Sequence, residues 1–242
     1  MLKIENVEVV GWEAAIRGMR NPKNSWVKSD SHWDYVNQGP EYLTVAHFDD
    51  ADFNIGPNDK KLMSTLRNAG TDHRKFMRMI TVYLDITAPL YWWKEFDTYK
   101  VGTVANSCST MHKIAAKEFT LEDFSCEHLC DDELELLKEI ITRLNMNRIV
   151  FIAKDDKRVD RYSVMTDECY AKYKKKLWWQ MIQLLPSSYN QKRTIMLNYE
   201  VLANIYKSRR HHKLDEWHTL CDWIESLPYS ELITGKEEKA DV

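Results

Sequence analysis

The segment that decides the fold runs from Ile80 to Lys113 and reads ITVYLDITAPLYWWKEFDTYKVGTVANSCSTMHK. Apolar and polar side chains alternate from Ile80 to Thr87, which is the period of a half-buried β-strand. The predicted strand closes at Ala88-Pro89. Two adjacent tryptophans, several charges and the polar run Asn106-Ser107-Cys108-Ser109 follow it. The clearest strand of the chain therefore delivers the backbone directly to a polar segment that needs a functional explanation.

Composition indicates a globular protein with one large domain or two small ones, since the chain has 242 residues. Hydrophobic residues make up 44% and charged residues 29%, as in ordinary soluble proteins. Aromatic residues reach 12%, a density that serves a core, an interface or a flat ligand such as a base or a flavin. The formal net charge of -3 argues against a binder of nucleic acid polymers, for which a basic domain is expected.

The cysteines and the apolar runs favour a cytoplasmic protein. Five cysteines, odd in number and irregularly spaced, do not suit the framework of a disulfide-rich secreted domain. The opening MLKIENVEVVGWEAA lacks the basic-then-apolar layout of a signal peptide. No apolar run approaches the roughly 18 residues of a membrane span. We therefore expect a reducing, cytoplasmic environment and no membrane partner.

Several common catalytic and metal-binding motifs are absent from the sequence. Neither a glycine-rich phosphate loop nor a G-x-S-x-G nucleophile elbow occurs. The run Cys126-x-His128-x-Cys130 looks like half of a zinc site, but no second pair follows at the spacing that structural zinc requires. The sequence therefore predicts no Rossmann or P-loop nucleotide site, no serine hydrolase and no metal.

Hydrophobic periodicity predicts a mixed chain of helices and strands. Strands are expected at Ile4–Val10, at Ile80–Ile86 and, among loops over 22–58, at Tyr42–His47. Helices are expected from Trp12 to Met19, from a cap at Asn58 to a stop at Gly70, after the capping box at Thr120, over 163–185, from Asn198 to Arg209, and from Leu214 to Ile224. We expect one α+β domain over 1–234, a twisted sheet flanked by helices, and a polar tail over 235–242.

Two late segments carry clustered polar residues. In LLPSSYNQKRTIMLNYEVLANIYKSRR, the place where a loop should enter a helix holds Tyr189, Asn190, Lys192, Arg193 and Asn198. Arg209 to His212 ends that helix, where cations either complement the helix dipole or bind an anion. His218 lies near the start of the last predicted helix, where it is either a surface residue or a catalyst.

Taken together, these segments resemble the flavin-dependent thymidylate synthases over most of the chain, from about Trp12 to Leu232. That family closes a strand with Ala-Pro and continues with R-Q-x-x-R-H-R and then S-x-N-E-x-S-x-R-Y. Here Ala88-Pro89 closes the strand, and the two motifs are occupied by Lys94 to Lys100 and by Thr103 to His112. Asn106 and Ser109 keep the letters of the second motif.

The later motifs of the family match in order. Leu185 to Asn190 occupies the family's L-P-x-x-x-Y-T segment, with Tyr189 retained. The helix from Asn198 to Arg209 corresponds to an Asn-bearing helix that ends in L-R. His218 stands where the family has a uracil-activating arginine in A-Q-x-E-I-R. The early G-H-x-S-x-x-E-H motif corresponds to the stretch that begins at Gly70 and contains His73.

The resemblance implies a fold, a reaction and a set of ligands. The family transfers a one-carbon unit from methylenetetrahydrofolate to dUMP with NADPH and bound FAD, and it builds its sites between the subunits of a homotetramer. By matched positions, the residues implied for the pyrimidine nucleotide are Lys94, Ser109, Tyr189, Arg193 and Arg209. Those implied for the cofactor are His73, Lys100, Asn106 and Asn198, and the residue implied for catalysis at the base is His218.

Three substitutions keep other functions open. Thr98, Tyr99 and Met111 replace charged residues of the family motifs, and an arginine fork grips phosphate in a way that neutral side chains cannot. The second hypothesis is therefore a nucleotide-binding or regulatory protein that keeps the fold without flavin chemistry. A third is a modified reaction on another nucleotide, in a pocket reshaped by one extra residue between the motifs and by the bulky side chains of Trp92, Trp93, Phe96 and Tyr99. Core packing is the structural alternative for these two tryptophans.

Overall fold

The computed structural model describes residues 2–35, 51–153 and 166–236. The strands are β1 (Lys3–Val10), β2 (His32–Tyr35), β3 (Ala51–Asn54), β4 (Thr81–Pro89), β5 (Val104–Ser107) and β6 (Asn190–Asn198). The helices are α1 (Trp12–Arg20), α2 (Pro57–Asn68), α3 (Leu90–Phe96), α4 (Thr110–Lys113), α5 (Asp131–Ile152), α6 (Asp167–Leu184), α7 (Tyr199–Arg209), α8 (Asp215–Glu225) and α9 (Glu231–Thr234). Short 3₁₀ helices lie at Asn21–Lys23, Trp26–Lys28, Arg74–Arg78 and Leu121–Asp123.

The chain divides into two compact units. Unit 1 contains Met1–Glu5, Asp85–Thr98 and Ala105–Thr194, and unit 2 contains Asn6–Leu84, Tyr99–Val104 and Ile195–Val242. Helices and strands are both present in the described residues, so the expectation of an α+β chain is confirmed. The extent of the predicted domain, 1–234, stays a prediction.

A four-stranded sheet has the order β1-β4-β6-β5, and β2 pairs with β3 in an antiparallel ribbon. The two inner strands of the sheet bury alternate side chains, as Val82, Leu84 and Ile86 do in β4. In β6 the buried apolar pair is Ile195 and Leu197. This period of two is the physical reason that both segments are strands rather than helices.

The core of unit 1 lies between α5 and α6. The buried side chains of this core are Ile114, Phe119, Phe124, Leu137, Ile141, Leu144 and Met181. Asn145 of α5 binds both backbone groups of Phe119, since its Nδ2 donates to the carbonyl at 2.8 Å and its Oδ1 accepts from the N–H at 2.9 Å. The helix pair therefore holds the segment that follows α4.

The two tryptophans of the opening segment are buried in a separate aromatic cluster of unit 1. Trp92 and Trp93 are fully buried, with ring centroids 4.9 Å apart, and Phe96 stacks on Trp92 at 5.1 Å. Trp93 Nε1 donates to the carbonyl of Gln191 at 2.9 Å. These side chains therefore pack in the protein interior, which was the structural alternative to a role in a ligand pocket.

A buried ion pair organises the N-terminal part of unit 2. Arg20 Nε donates to Asp59 Oδ1 at 2.6 Å, and the hydroxyls of Ser29 and Ser31 donate to Asp59 Oδ2 at 2.7 Å and 2.8 Å. Burial alone would raise the pKa of Asp59, but these hydrogen bonds keep that pKa below its usual value. The carboxylate thus connects α2 to α1 and to the segment between α1 and β2.

Several predicted elements agree with the structure to within a few residues. β1, β4, α1 and α8 lie where periodicity placed them, and α7 follows Asn198 as its cap. The helix predicted over 163–185 corresponds to α6, which runs from Asp167 to Leu184. Residues 163–165 of the predicted range lie outside the described residues. The strand predicted at Tyr42–His47 and the last six residues of the predicted tail also lie outside them.

Other local predictions were wrong. The segment after Tyr189 is strand β6, not a loop that enters a helix. The cap of α2 is Gly56, with Pro57 as the first helical residue, so Asn58 lies inside the helix. The capping box at Thr120 starts only the 3₁₀ helix Leu121–Asp123, and α5 begins later, at Asp131. The ribbon of β2 and β3 was not predicted.

Candidate functional site

A cavity of about 370 Å³ in unit 1 lies where Cys108 and Ser109, which follow β5, meet the start of β6. We call it the Ser109 cavity. It contains two of the residues implied for the nucleotide, Ser109 and Tyr189. The other charged or polar lining residues that matter below are Cys108, Lys113, Lys117, Glu122, Asp123, Gln191 and Lys192. The opening segment and the late polar segment, which are far apart in sequence, therefore meet at one site.

Backbone and side-chain bonds fix the polar run on β6. The N–H of Cys108 donates to the carbonyl of Lys192 at 3.0 Å, and the carbonyl of Cys108 accepts from Gln191 Nε2 at 2.8 Å. Ser109 caps α4, because its Oγ accepts from the N–H of His112 at 3.1 Å. The Ser109 hydroxyl therefore stays at the cavity with its own proton still available for donation.

The three lysines of the cavity differ in how far their charge is compensated. Lys117 pairs with Asp123, and this hydrogen bond raises the pKa of Lys117. Lys192 binds Asp85 at 3.0 Å, which raises the pKa of Lys192 in the same way. Lys113 is exposed and has no ion pair among the described residues. Lys113 is therefore the cation of this site with most charge left for a ligand.

Tyr189 supplies a neutral hydroxyl and an aromatic wall. Its ring packs edge-on against Phe119 and Phe124, with centroid distances of 6.1 Å and 5.6 Å. Burial raises the pKa of the Tyr189 phenol, and the charge of Asp123 adds to the rise. The phenol therefore keeps its proton at neutral pH and acts as a donor.

Arg193 is committed to other protein groups. Its Nη1 donates to Asp97 at 2.7 Å, its Nε donates to Gln191 Oε1 at 3.0 Å, and its guanidinium lies 4.2 Å from the centroid of Trp93. Among the described residues Arg193 does not line the Ser109 cavity. It contacts Gln191 instead, and Gln191 holds the carbonyl of Cys108.

Two further residues implied for ligands in unit 1 lie on the surface. Lys94 is exposed in the last turn of α3, and Asn106 is exposed in β5. Neither belongs to the described lining of the Ser109 cavity. Of the five candidates in this unit, the structure therefore brings together Ser109 and Tyr189.

In unit 2, Arg209 lies between two aromatic rings. Its guanidinium is 4.7 Å from the centroid of Trp217 and 5.7 Å from that of Tyr99, and its Nε donates to the Tyr99 hydroxyl at 3.0 Å. His218 follows Trp217 on α8, with a side chain 46% exposed and its Nδ1 3.7 Å from Asp215. Arg209 is thus held rigidly, whereas His218 is held only weakly.

The candidate cofactor residues of unit 2 are also placed differently from one another. Asn198 Oδ1 accepts from the N–H of Val201 at 3.1 Å as the cap of α7. A Cβ on Gly102 would lie 2.8 Å from Asn198 Nδ2, so the residue at 102 must stay small. His73 and Lys100 are exposed. Asn198 therefore has only its Nδ2 group left for a ligand.

No group of three or more metal-ligating side chains occurs within the described residues. The five cysteines are free thiols, and Cys130 bonds to Glu133 rather than to Cys126. Within the same part of the chain, no helix is both long and apolar enough to cross a membrane.

Sequence reasoning missed Lys113, Lys117 and Gln191 as residues of this site. Lys113 closes the opening segment, and its place one turn beyond the cap Ser109 was the available signal. Gln191 is 8% exposed, but it precedes three polar residues in the sequence, so no pattern indicates its burial. Lys117 has no signal either, because its pairing with Asp123 appears only in the folded chain.

The fold is that of the flavin-dependent thymidylate synthases. The ThyX enzyme of Helicobacter pylori, complexed with FAD and dUMP, shares 15% identity and has a TM-score of 0.60, over 96% of this chain and 98% of that chain. A second structure of that enzyme with FAD and dUMP shares 14% identity and has a TM-score of 0.58, over 97% of this chain and 98% of that chain.

The structure of a methylase is less similar to this chain. The UMP/dUMP methylase PolB of Streptomyces cacaoi, bound with 5-Br dUMP, shares 10% identity with a TM-score of 0.50, over 93% of this chain and 89% of that chain. No protein-family model and no curated protein sequence matches the chain. At these identities the likeness establishes the fold alone.

Proposed function

We propose that this protein binds a phosphorylated pyrimidine nucleotide, dUMP or a close relative, in the Ser109 cavity. The observation that carries the proposal is that Ser109 and Tyr189, both implied for the nucleotide by their motif positions, line one cavity. Its volume of about 370 Å³ suits a small ligand. The ThyX structures with dUMP and the PolB structure with 5-Br dUMP support this ligand class, because the chain shares their fold.

The phosphate is assigned to Lys113 and Ser109. Lys113 has no ion pair in the described part of the chain, and the Ser109 hydroxyl can donate because its oxygen already accepts the His112 N–H. A charge-assisted bond from an ammonium group to phosphate contributes roughly 1.5–3 kcal/mol. Lys117 and Lys192 add positive potential, but each already faces a carboxylate.

The base is assigned to the side of the cavity formed by Tyr189. The phenol is neutral at physiological pH, since burial raises its pKa, and it can donate to a pyrimidine carbonyl. Its ring is fixed by Phe119 and Phe124. A rigid ring with one donor suits a planar ligand with carbonyl groups.

Reductive methylation of the bound nucleotide is a second candidate function. The setting of Arg209 favours it, because Tyr99 and Trp217 hold that guanidinium in one orientation. The roles of His218 in catalysis and of Arg209 at the nucleotide stay predictions, as does the homotetramer. So do NADPH and methylenetetrahydrofolate as co-substrates.

FAD is supported by the shared fold more than by the side chains implied for it. Of His73, Lys100, Asn106 and Asn198, only Lys100 carries a permanent charge, while the diphosphate of FAD carries two negative charges. Asn198 also uses its Oδ1 to cap α7. This donor set fits a flavin poorly, so nucleotide binding without flavin chemistry is the better supported function.

The direct test is to titrate the purified protein with dUMP in a calorimeter and to measure thermal unfolding with and without dUMP. Wild-type protein should bind dUMP and unfold at a higher temperature in its presence. Lys113→Ala should weaken dUMP binding about tenfold or more, because one charge-assisted bond is lost. Ser109→Ala should weaken it by a smaller factor.

Lys176→Ala is the matched control, since Lys176 is an exposed lysine of α6 that does not line the Ser109 cavity. It removes the same charge and should leave dUMP affinity unchanged. Deoxyuridine, which lacks the phosphate, should bind far more weakly than dUMP. Equal binding of deoxyuridine and dUMP, or an equal loss in both lysine variants, would exclude the assigned site. The visible absorbance of the purified protein reports separately whether flavin is bound.

A further inference from the structure

A second cavity, of about 330 Å³, lies in unit 2 and shares no residue with the Ser109 cavity. One side is α7, and the others are the end of α2, the 3₁₀ helix that begins at Arg74, and the end of α9. We call it the basic cavity, because its lining contains five basic side chains. They are Arg67, Arg74, Lys207, Arg210 and His211.

The acidic groups near the basic cavity do not balance its cations. Glu200 accepts from Arg74 at 3.3 Å but also pairs with Arg78. Glu225 pairs with Arg210 and also binds Lys236 at 2.8 Å. Two carboxylates thus face four cations. Among the described residues, no acidic side chain lines the cavity itself.

The remaining cations have no carboxylate partner in the described part of the chain. Arg67 binds the carbonyls of Leu232 and Ile233 at 3.2 Å and 3.3 Å, which are neutral acceptors at the end of α9. Lys207 and His211 are exposed and make no ion pair with a described residue. The cavity therefore holds more positive charge than the fold compensates.

Burial and a neighbouring cation both act on Arg67. Burial, and then the positive charge of Arg74, lower the pKa of Arg67. Holding these guanidinium groups near one another costs folding free energy that a bound anion would remove. Neutral donors are also present, since Asn204 and Thr234 belong to the lining.

We propose that the basic cavity binds an anion of high charge density, namely a diphosphate group, either as free pyrophosphate or as part of a nucleoside diphosphate. Planar guanidinium groups bind phosphate oxygens in pairs, and the lining contains three of them, those of Arg67, Arg74 and Arg210. Lys207 of α7 and His211, just beyond the end of that helix, are exposed and can reach a ligand from solvent.

The test uses the full-length protein and inorganic pyrophosphate at constant ionic strength, with calorimetry and thermal unfolding as readouts. Pyrophosphate should raise the unfolding temperature, and sulfate at equal ionic strength should not. Lys207→Glu should weaken pyrophosphate binding about tenfold or more, because it removes one charge-assisted bond and adds repulsion. His211→Gln is a second variant with a milder change.

Lys213→Glu is the matched control, because Lys213 is an exposed lysine in the same region that does not line the cavity. It should leave pyrophosphate binding unchanged. Binding of pyrophosphate and ADP but not adenosine, with loss in Lys207→Glu, supports the proposal. The proposal is overturned if sulfate binds as pyrophosphate does, or if Lys207→Glu leaves pyrophosphate binding intact. It is also overturned if FAD binds and pyrophosphate does not.

The two sites can be tested separately. Lys207→Glu should leave dUMP affinity intact, and Lys113→Ala should leave pyrophosphate affinity intact. If dUMP binds neither to wild-type protein nor to the variants, the nucleotide site in the Ser109 cavity is rejected. The proposal for the basic cavity is unaffected by that result.

Discussion

Substitution of Arg193 by glutamine distinguishes a structural arginine from a phosphate ligand. Arg193→Gln removes the hydrogen bond to Gln191, the contact with the face of Trp93 and the ion pair with Asp97. A hydrogen bond contributes about 1 kcal/mol, and a partly buried cation–π contact contributes about 1 kcal/mol. The ion pair contributes only about 0.5 kcal/mol, because the Asp97 side chain is half exposed and water screens it.

These terms predict that Arg193→Gln lowers the free energy of unfolding by roughly 2–3 kcal/mol. Urea unfolding followed by tryptophan fluorescence measures this loss. The affinity for dUMP, measured by calorimetry below the unfolding transition, should stay within about threefold of wild type, since Arg193 does not line the Ser109 cavity.

Asp97→Asn is the control, because it removes the ion pair and keeps the contacts of Arg193 with Gln191 and Trp93. It should cost about 0.5 kcal/mol of stability. A loss of dUMP affinity of about tenfold or more in Arg193→Gln, with unchanged stability, would refute the structural role. Arg193 would then be the phosphate ligand that its motif position implies.

Three further predictions concern stability and thiol reactivity. Because the folded-state pKa of Asp59 is depressed, its stabilising effect is present above the unfolded pKa and lost as pH falls through the folded one. Asp59→Asn should cost roughly 3–5 kcal/mol at neutral pH in urea unfolding, and it should flatten the pH dependence of stability at acid pH. Leu144→Ala should cost about 2–5 kcal/mol and Leu136→Ala within about 0.5 kcal/mol, because Leu144 is fully buried and Leu136 is 56% exposed. Cys221 is buried with its pKa raised to about 11, so iodoacetamide should alkylate exposed Cys108 far faster, and mass spectrometry of labelled native protein measures both. If dUMP binds the Ser109 cavity, it should slow the labelling of Cys108.

The strand β4 could be predicted from sequence because its pattern is local. Val82, Leu84 and Ile86 alternate with polar residues, so the period of two is visible without knowledge of any partner. The helices α7 and α8 could be predicted for the same reason. The buried side chains of α8 recur every three or four residues, as Trp217, Leu220 and Ile224 do. In α7 the apolar residues Val201, Leu202 and Ile205 keep helical spacing, although every residue from Tyr199 to Ala203 is buried.

The strand β6 could not be recognised in the same way, because its polar side chains are paired with distant residues. Lys192 and Thr194 bind Asp85 of β4, and Arg193 binds Asp97 beyond α3. Read alone, three successive polar residues indicate a loop. In the folded chain their charges and hydroxyl groups are satisfied across the sheet, so a polar strand is stable.

The same pairing explains which motif cations remain available to a ligand. Arg193 and Lys113 both lie near the polar segments that the motifs identify, but Arg193 donates to Asp97 while Lys113 has no ion pair among the described residues. Arg193 already has a carboxylate at 2.7 Å, so part of its charge is compensated before any ligand arrives, whereas the charge of Lys113 is not. Ligand binding therefore depends on uncompensated charge, and this property is decided by residues such as Asp97 that stand elsewhere in the sequence.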